Sequence, residues 1–235
     1  TTLAGQSVLV TGANRGIGFE IARQLAQKGV TVILTGRSLT DATHAAAKIA
    51  TDAMRVIPLK LDATQQADID AAVAFVDKEF GVLDILVNNA GIYLEDDEKL
   101  SGLVLRRTLE TNTVAPLNLM LAFIPLLKKS VAGRIVNQSS RMGSFFAAKT
   151  RDVFYPAYCA SKAALNMLTV CLAHQLADTN IKVNAAHPGW VRTRMGGEEA
   201  DLSPQEGAKT AIRLALLPDD GPTGGFFHGE EQLPW

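Results

Sequence analysis

The chain has 235 residues, 47% hydrophobic and 20% charged, which suits one large globular domain. Its formal net charge of −1, with no block of basic residues, argues against nucleic acid or an anionic membrane as the main partner. No apolar run approaches the roughly 18 residues of a membrane span, and the start shows neither the basic segment nor the small-residue cleavage site of a secretory signal.

Short apolar runs alternate with longer helical patterns. Val8 to Val10, Val32 to Leu34, Val56 to Leu59, Ile85 to Val87, Arg134 to Asn137 and Lys182 to Ala186 read as strands. Helices are expected near 17–28, 41–52, 65–80, 101–128, 157–178 and 204–216. The last has a clear start: Ser203, Pro204 and Glu206 fit N-cap, first helical position and capping box. Continuous Val/Ile/Leu strands separated by helices imply a parallel sheet covered on both faces. Right-handed crossovers then give an α/β fold, a doubly wound parallel sheet of Rossmann type with helices on both faces. With no repeat, low-complexity tract or linker, a single domain over 1–235 is expected.

The first strand ends in Thr11-Gly12-Ala13-Asn14-Arg15-Gly16-Ile17-Gly18 and runs into a helix. Glycines here let the backbone turn tightly and approach a pyrophosphate at the positive helix N-terminus. The spacing is Gly-x-x-x-Gly-x-Gly rather than the commonest fingerprint, yet its strand-before, helix-after context favours a nucleotide over a mere tight connection. The second strand ends in Thr35-Gly36-Arg37-Ser38, where an NAD site would normally put a carboxylate for the ribose hydroxyls. Arg37 and Arg15 can instead grip a 2′-phosphate, so NADP(H) is the expected cofactor; two exposed arginines without a ligand are the plain alternative.

Asp62 follows the third strand and can accept from an adenine amino group, or simply serve a turn or cap. Asn88-Asn89-Ala90-Gly91 follows the fourth. The asparagines can knit strand ends together, and Gly91 leaves room for a nucleotide. The next residues, Glu95-Asp96-Asp97-Glu98, read as a solvated acidic loop. Asn112, between Thr111 and Thr113, is a poor residue for a helix interior, which suggests a local irregularity or a buried polar contact. The fifth strand leads to Ser139-Ser140, and the sixth to His187-Pro188-Gly189-Trp190-Val191-Arg192-Thr193. Pro-Gly forces a turn there, and Thr193 can bond the cofactor's amide or pyrophosphate. The four histidines are scattered, so no metal site is expected.

Tyr158 and Lys162 stand four apart, on one face of a helix about one turn from each other. A fixed cation near a phenol favours phenolate, so the pair can act as a tuned acid or base, although such a pair more often forms a solvated face. On the same helix, Cys159 and Cys171 lie about 18 Å apart at 1.5 Å per residue, too far for a disulfide. A reducing compartment, most simply the cytoplasm, is expected, and Cys159 reads as a buried inert thiol.

In this order and spacing, the glycine turn, Asn88-Asn89-Ala90-Gly91, Asn112, Ser140, Tyr158 with Lys162, and Pro188-Gly189 make the chain resemble a short-chain dehydrogenase/reductase over nearly its whole length. Pro188 to Thr193, Ser203 to Gly207, Gly224-Gly225-Phe226-Phe227 and Trp235 resemble its NADPH-dependent carbonyl reductase branch. Ser140 and Tyr158 are 18 residues apart, a longer gap than in many members. In that branch longer insertions here can block the helix-pairing surface, so a monomer or homodimer is expected rather than a tetramer. The resemblance implies reduction of a ketone or aldehyde by NADPH, with Tyr158 giving the alkoxide its proton. Lys162 would lower the phenol's pKa and hold the nicotinamide ribose. Ser140 would hydrogen-bond the carbonyl oxygen, and Asn112 would hold a water that relays protons to Lys162. It also carries Asn14, Ile17, Ala90, Gly91, Pro188, Gly189 and Val191 into the cofactor-binding set. Tyr93, Phe154, Trp190 and Met195 suggest a pocket for a small apolar or aromatic carbonyl compound, against the plain reading that several are core. Two rivals are a reductase for a dedicated 3-oxoacyl or steroid metabolite and a non-catalytic NADP(H) sensor.

Overall fold

The computed structural model describes residues 5–149 and 155–235. All six expected strands form, as β1 (Ser7–Val10), β2 (Thr31–Gly36), β3 (Val56–Lys60), β4 (Ile85–Asn88), β5 (Arg134–Gln138) and β6 (Lys182–Ala186). Two more were not expected, β7 (Phe226–His228) and β8 (Glu231–Gln232). They are too short to show a period; what holds β7 is Phe226, fully buried and stacked on Trp235 at 5.4 Å. The sheet runs β3-β2-β1-β4-β5-β6-β7-β8, parallel except for the final pair. Pro58 lies in β3 and is tolerated because β3 is an edge strand.

The described helices are α1 (Gly16–Gln27), α2 (Leu39–Ala47), α3 (Gln66–Phe80), α4 (Gly102–Leu109), α5 (Ala115–Leu127), α6 (Phe145–Ala148), α7 (Pro156–Gln175), α8 (Pro204–Gly207) and α9 (Lys209–Ala215). One core joins the sheet to α1, α2 and α9 through Ile21, Leu25, Ala42, Ala46, Ala211 and Leu214. The other joins the opposite face to α3, α5 and α7 through Ile69, Val76, Leu119, Phe123 and Leu172. This is the doubly wound arrangement, with its topological switch between β1 and β4, the place where such sheets bind ligands.

Three helical expectations are refined. The capping box at Ser203 and Glu206 forms, but the helix breaks into α8 and α9. The short α6 lies where no helix was expected, its Ser144 hydroxyl donating to the Pro234 carbonyl and tying it to the C-terminal segment. The long helix near 101–128 is interrupted by a π turn over Glu110–Val114. The extra residue widens that turn and brings two consecutive polar side chains, Asn112 and Thr113, against α7. The irregularity suspected at Asn112 is thus this turn, and the buried contact is there too. Neither cysteine forms a disulfide among the described residues; Cys171 is exposed and Cys159 only partly buried. Among the described residues, no helix is long and apolar enough to cross a membrane.

Candidate active site

The site lies where β1, β4 and β5 end. Val10 pairs level with Val87, and Val87 with Val136. The side chains of this row lie in the core shared with α1 and α9. Two residues further along each strand come Gly12, Asn89 and Gln138. Gly12 and Gly16 take φ of +61° and +58°, a region that a side chain resists, so the turn needs glycine at both. Thr11 and Asn89 bind β1 to β4. The Asn89 amide donates to the Thr11 carbonyl at 2.9 Å, and the Thr11 hydroxyl accepts from the N–H groups of Asn89 and Ala90, both at 3.0 Å. Asn88 does the same for the next pair, donating to Asn137 Oδ1 at 2.9 Å. The asparagines thus knit the strand ends, as the sequence suggested.

Helix α1 begins from Arg15 without a side-chain cap. Its first N–H groups face the turn, a favourable place for an anion. Asn14 packs against Gly36, whose Cβ, if present, would meet Asn14 Cβ at 3.5 Å. The next residue on each side is an exposed arginine, Arg15 and Arg37. The two arginines that the sequence paired thus each follow a residue of this contact. Ile17 is partly buried against the α1 core. Asp62 takes up its turn role: Oδ1 accepts from the Thr64 N–H and hydroxyl at 3.1 and 2.8 Å.

The loop after β6 closes over the glycine turn. Gly189 has φ of +85°, Val191 is buried and bridges to Leu202, and the Thr193 methyl lies 3.6 Å from where a Gly16 Cβ would be. Thr193 Oγ1 accepts from the Gly196 N–H at 3.1 Å. The two apolar candidates on this loop are not core: Trp190 is 54% and Met195 43% exposed. The Trp190 indole N–H donates to the Gly196 carbonyl. Pro188 is the second residue of this loop.

At the other end of the crevice Tyr158 and Lys162 lie on α7, with the ammonium 5.7 Å from the phenol ring centre. Lys162 is 5% exposed, and its Nζ donates to the Gln138 carbonyl at 2.9 Å. Ser140 starts a 3-10 turn over Arg141–Gly143. That turn sits so close to α7 that a Gly143 Cβ would fall 2.6 Å from the Lys162 carbonyl carbon. Ser139 and Asn166 bind the same two elements together. Gly91 gives room in turn to Lys162: its Cβ would lie 3.6 Å from Nζ and 3.3 Å from Asn112 Oδ1.

One expectation about roles changes here. The pKa of the Tyr158 phenol is raised, to about 12, because burial disfavours phenolate; a hydrogen bond with Ser140 works the other way. A lowering by Lys162 is not what governs it. The ammonium is engaged by the Gln138 carbonyl, and burial pulls its own pKa down to about 8. The Asn112 side chain is fully buried and bonded through both of its polar atoms. Its Oδ1 accepts from the Ile92 N–H at 2.8 Å, and its Nδ2 donates to the Ile92 carbonyl and Ser161 Oγ at 2.9 and 3.0 Å. Its side chain fastens the loop after β4 to α7.

The acidic run is likewise not a merely solvated loop. Glu95 accepts two backbone N–H groups at the start of α7, Asp96 accepts from the Tyr93 hydroxyl at 2.9 Å, and Glu98 pairs with Arg107 at 2.7 Å. The Tyr93 ring meets Tyr155 and Tyr158 edge-on, with centres 5.1 and 5.3 Å apart. Burial and hydrogen bonding to Tyr155 and Asp96 raise its pKa. Tyr155, which follows the candidate Phe154 directly, is partly buried. Phe154 lies outside the described residues. Gln138 is new: its amide is buried, and neither polar atom has a hydrogen-bond partner among the described residues.

Three comparisons fit this geometry. Residues 6–202 match the family model for short chain dehydrogenase. The (−)-isopiperitenone reductase of Mentha piperita is 32% identical, the alignment covering 96% of each chain. Carbonyl reductase [NADPH] 1 of Mus musculus is 33% identical, covering 97% of each. That alignment runs over 271 residues against the 235 of this chain, so the mouse protein has stretches without a counterpart here. The crystal structure of NADPH-bound carbonyl reductase from chicken fatty liver superposes with a TM-score of 0.84 at 33% identity, over 98% of this chain and 99% of that one. A match across most of the sequence, on a switch-point site of this build, means that the chain belongs to the short-chain dehydrogenase family.

Proposed function

We propose that this protein reduces a ketone or aldehyde to an alcohol with NADPH. The observation that carries the reading is one constellation: Tyr158 and Lys162 on one face of α7, with the Ser140 hydroxyl acting on the phenol. The cofactor fits the residues present. A glycine turn leads into an uncapped helix, two exposed arginines flank the Asn14–Gly36 contact, and a buried orphan amide sits at Gln138. Gly12, Asn14, Gly16, Gly18, Asn89 and Ala90 would shape the pyrophosphate and ribose seat, with Val191 and Thr193 closing it. Arg15 and Arg37 would hold the 2′-phosphate, and Asp62 the adenine.

When bound, NADPH supplies the hydride. Ser140 would donate to the carbonyl oxygen; one such donor to developing charge is worth roughly 3–4 kcal/mol in the transition state. Tyr158 would pass its phenolic proton to the developing alkoxide. A phenol whose pKa is raised to about 12 is protonated at neutral pH and so has a proton to give. Lys162 is held against the Gln138 carbonyl, one turn from the phenol, and would bond the nicotinamide ribose. Tyr93, Tyr155 and Trp190 would supply an aromatic wall for an apolar carbonyl compound.

The test is Tyr158→Phe, assayed by loss of NADPH fluorescence with a panel of apolar and acidic carbonyl compounds. Turnover should fall by about 10³-fold or more while NADPH still binds, since only the proton donor is removed. Turnover that survives in this variant would give the acid role to another group. A strong preference for small acidic substrates would overturn the aromatic wall.

A further inference from the structure

We infer that Glu95 is a positioning residue for Tyr158, acting through the start of α7; this rests on the carbonyl reduction proposed above. Helix α7 lacks a cap of its own, because the Tyr155 side chain at its N-cap makes no capping hydrogen bond. Helices α2, α4 and α8 are capped locally by Ser38, Ser101 and Ser203. For α7 the cap comes from 62 residues away: Glu95 Oε1 accepts from the Ala157 N–H at 3.1 Å. Its Oε2 accepts from the N–H of Tyr158 itself at 2.8 Å. A carboxylate at a helix N-terminus satisfies orphan donors and opposes the helix dipole. Here it also fixes the backbone that bears the phenol.

The carboxylate is itself held. Its loop is tied to Asn112 through Ile92 at one end and to Arg107 through Glu98 at the other. Between these anchors Tyr93, with its hydroxyl on Asp96, sets its ring edge-on to Tyr155 and Tyr158. The loop that follows β4 therefore grips the phenol's backbone through Glu95 and its ring through Tyr93. A misplacement of about 1 Å at a reacting group can cost about 10²-fold in rate, so a grip at this point governs turnover rather than binding.

The experiment compares Glu95→Ala, Glu95→Asp and Glu95→Gln with Gly81→Ala. Gly81 ends α3 at φ of +68°, so alanine there lowers stability without touching the site. In Glu95→Ala, kcat should fall about 10- to 100-fold, with the NADPH dissociation constant and the substrate KM within about twofold of wild type. Glu95→Gln keeps one accepting oxygen and should lie between, as should Glu95→Asp. Both carry the test if the alanine variant does not fold. Gly81→Ala should lose a comparable Tm and keep its kcat. If Glu95→Ala and Glu95→Gln lose only Tm, as Gly81→Ala does, Glu95 is merely a cap and the inference is wrong. A wild-type protein that binds NADPH but reduces no carbonyl compound would overturn the proposed function, and this inference with it.

Discussion

At the glycine turn the working surface is backbone. Gly12 and Gly16 set its path, and the first N–H groups of α1 face outward without a side-chain cap. At the other end of the same crevice the surface is side chains, each held by a partner distant in sequence. Asn112 reaches Ile92 and Ser161, Lys162 reaches Gln138, and Glu95 reaches Tyr158. Backbone sites are encoded locally, in which residues permit a turn. Side-chain sites depend on tertiary contacts, so damage far from the reacting atoms should reach them. Substitutions at the two ends should therefore fail differently: at the α7 end in stability and turnover, at the glycine-turn end in affinity alone.

Asn112→Ala should have the largest effect on stability. It leaves the Ile92 N–H and carbonyl and the Ser161 hydroxyl without their partner in a site with no exposure. Buried groups stripped of partners cost about 1–3 kcal/mol each, not additively, so a loss of about 3 kcal/mol or more is expected in urea unfolding. Turnover should fall with it, because Ile92 anchors the loop that carries Glu95. A loss below about 1 kcal/mol would break the contrast, since the α7 end would then not depend on this clamp.

The next effect is a pH dependence. Burial lowers the Lys162 pKa from 10.5 to about 8, so between these values the unfolded chain binds the proton that the folded chain has released. Stability therefore rises with pH across that window, by about 3 kcal/mol at most from this group. Tyr158 acts in the opposite sense. Its pKa is raised from 10.0 to about 12, so the folded chain keeps a proton that the unfolded chain loses, and stability falls from pH 10 to 12. Together they predict a maximum near pH 10. Lys162→Met should remove the rising limb and Tyr158→Phe the falling one, in thermal unfolding followed across pH. Parallel curves for wild type and Lys162→Met would show that the ammonium is not buried at a cost.

What was legible in the sequence follows the same division. The six long strands, the switch point and the glycine turn rest on local patterns, and all could be read in advance. So could the oddity of Asn112, because an asparagine inside a helical pattern competes for backbone hydrogen bonds, which is a local conflict. The partner that resolved it, Ser161, lies 49 residues away and had no such mark. Glu95 was misread for a related reason. A run of four acidic residues looks solvated, and nothing nearby says that a helix start 62 residues on lacks a cap. The direction of the Tyr158 shift was missed because spacing gives proximity to Lys162 but not depth, and depth decides it. β7 was missed because three residues cannot show alternation, although two phenylalanines after two glycines marked a buried turn into the sheet.

The smallest predicted effect tests the glycine-turn end. Arg37 is exposed and follows Gly36 of the Asn14–Gly36 contact, so replacing it removes no core contact and should leave Tm nearly unchanged. Arg37→Glu should raise the NADPH dissociation constant about 10- to 100-fold, since a charge-assisted pair is lost and a carboxylate then faces the phosphate. NADH, which lacks the 2′-phosphate, should change by no more than about threefold, and turnover at saturating cofactor should hold. The loss for NADPH should also shrink as salt is raised, because the pair is exposed to screening. Equal weakening of both cofactors would remove the 2′-phosphate from Arg37. A fall in turnover at saturation would show that the two ends of the crevice are coupled rather than separate.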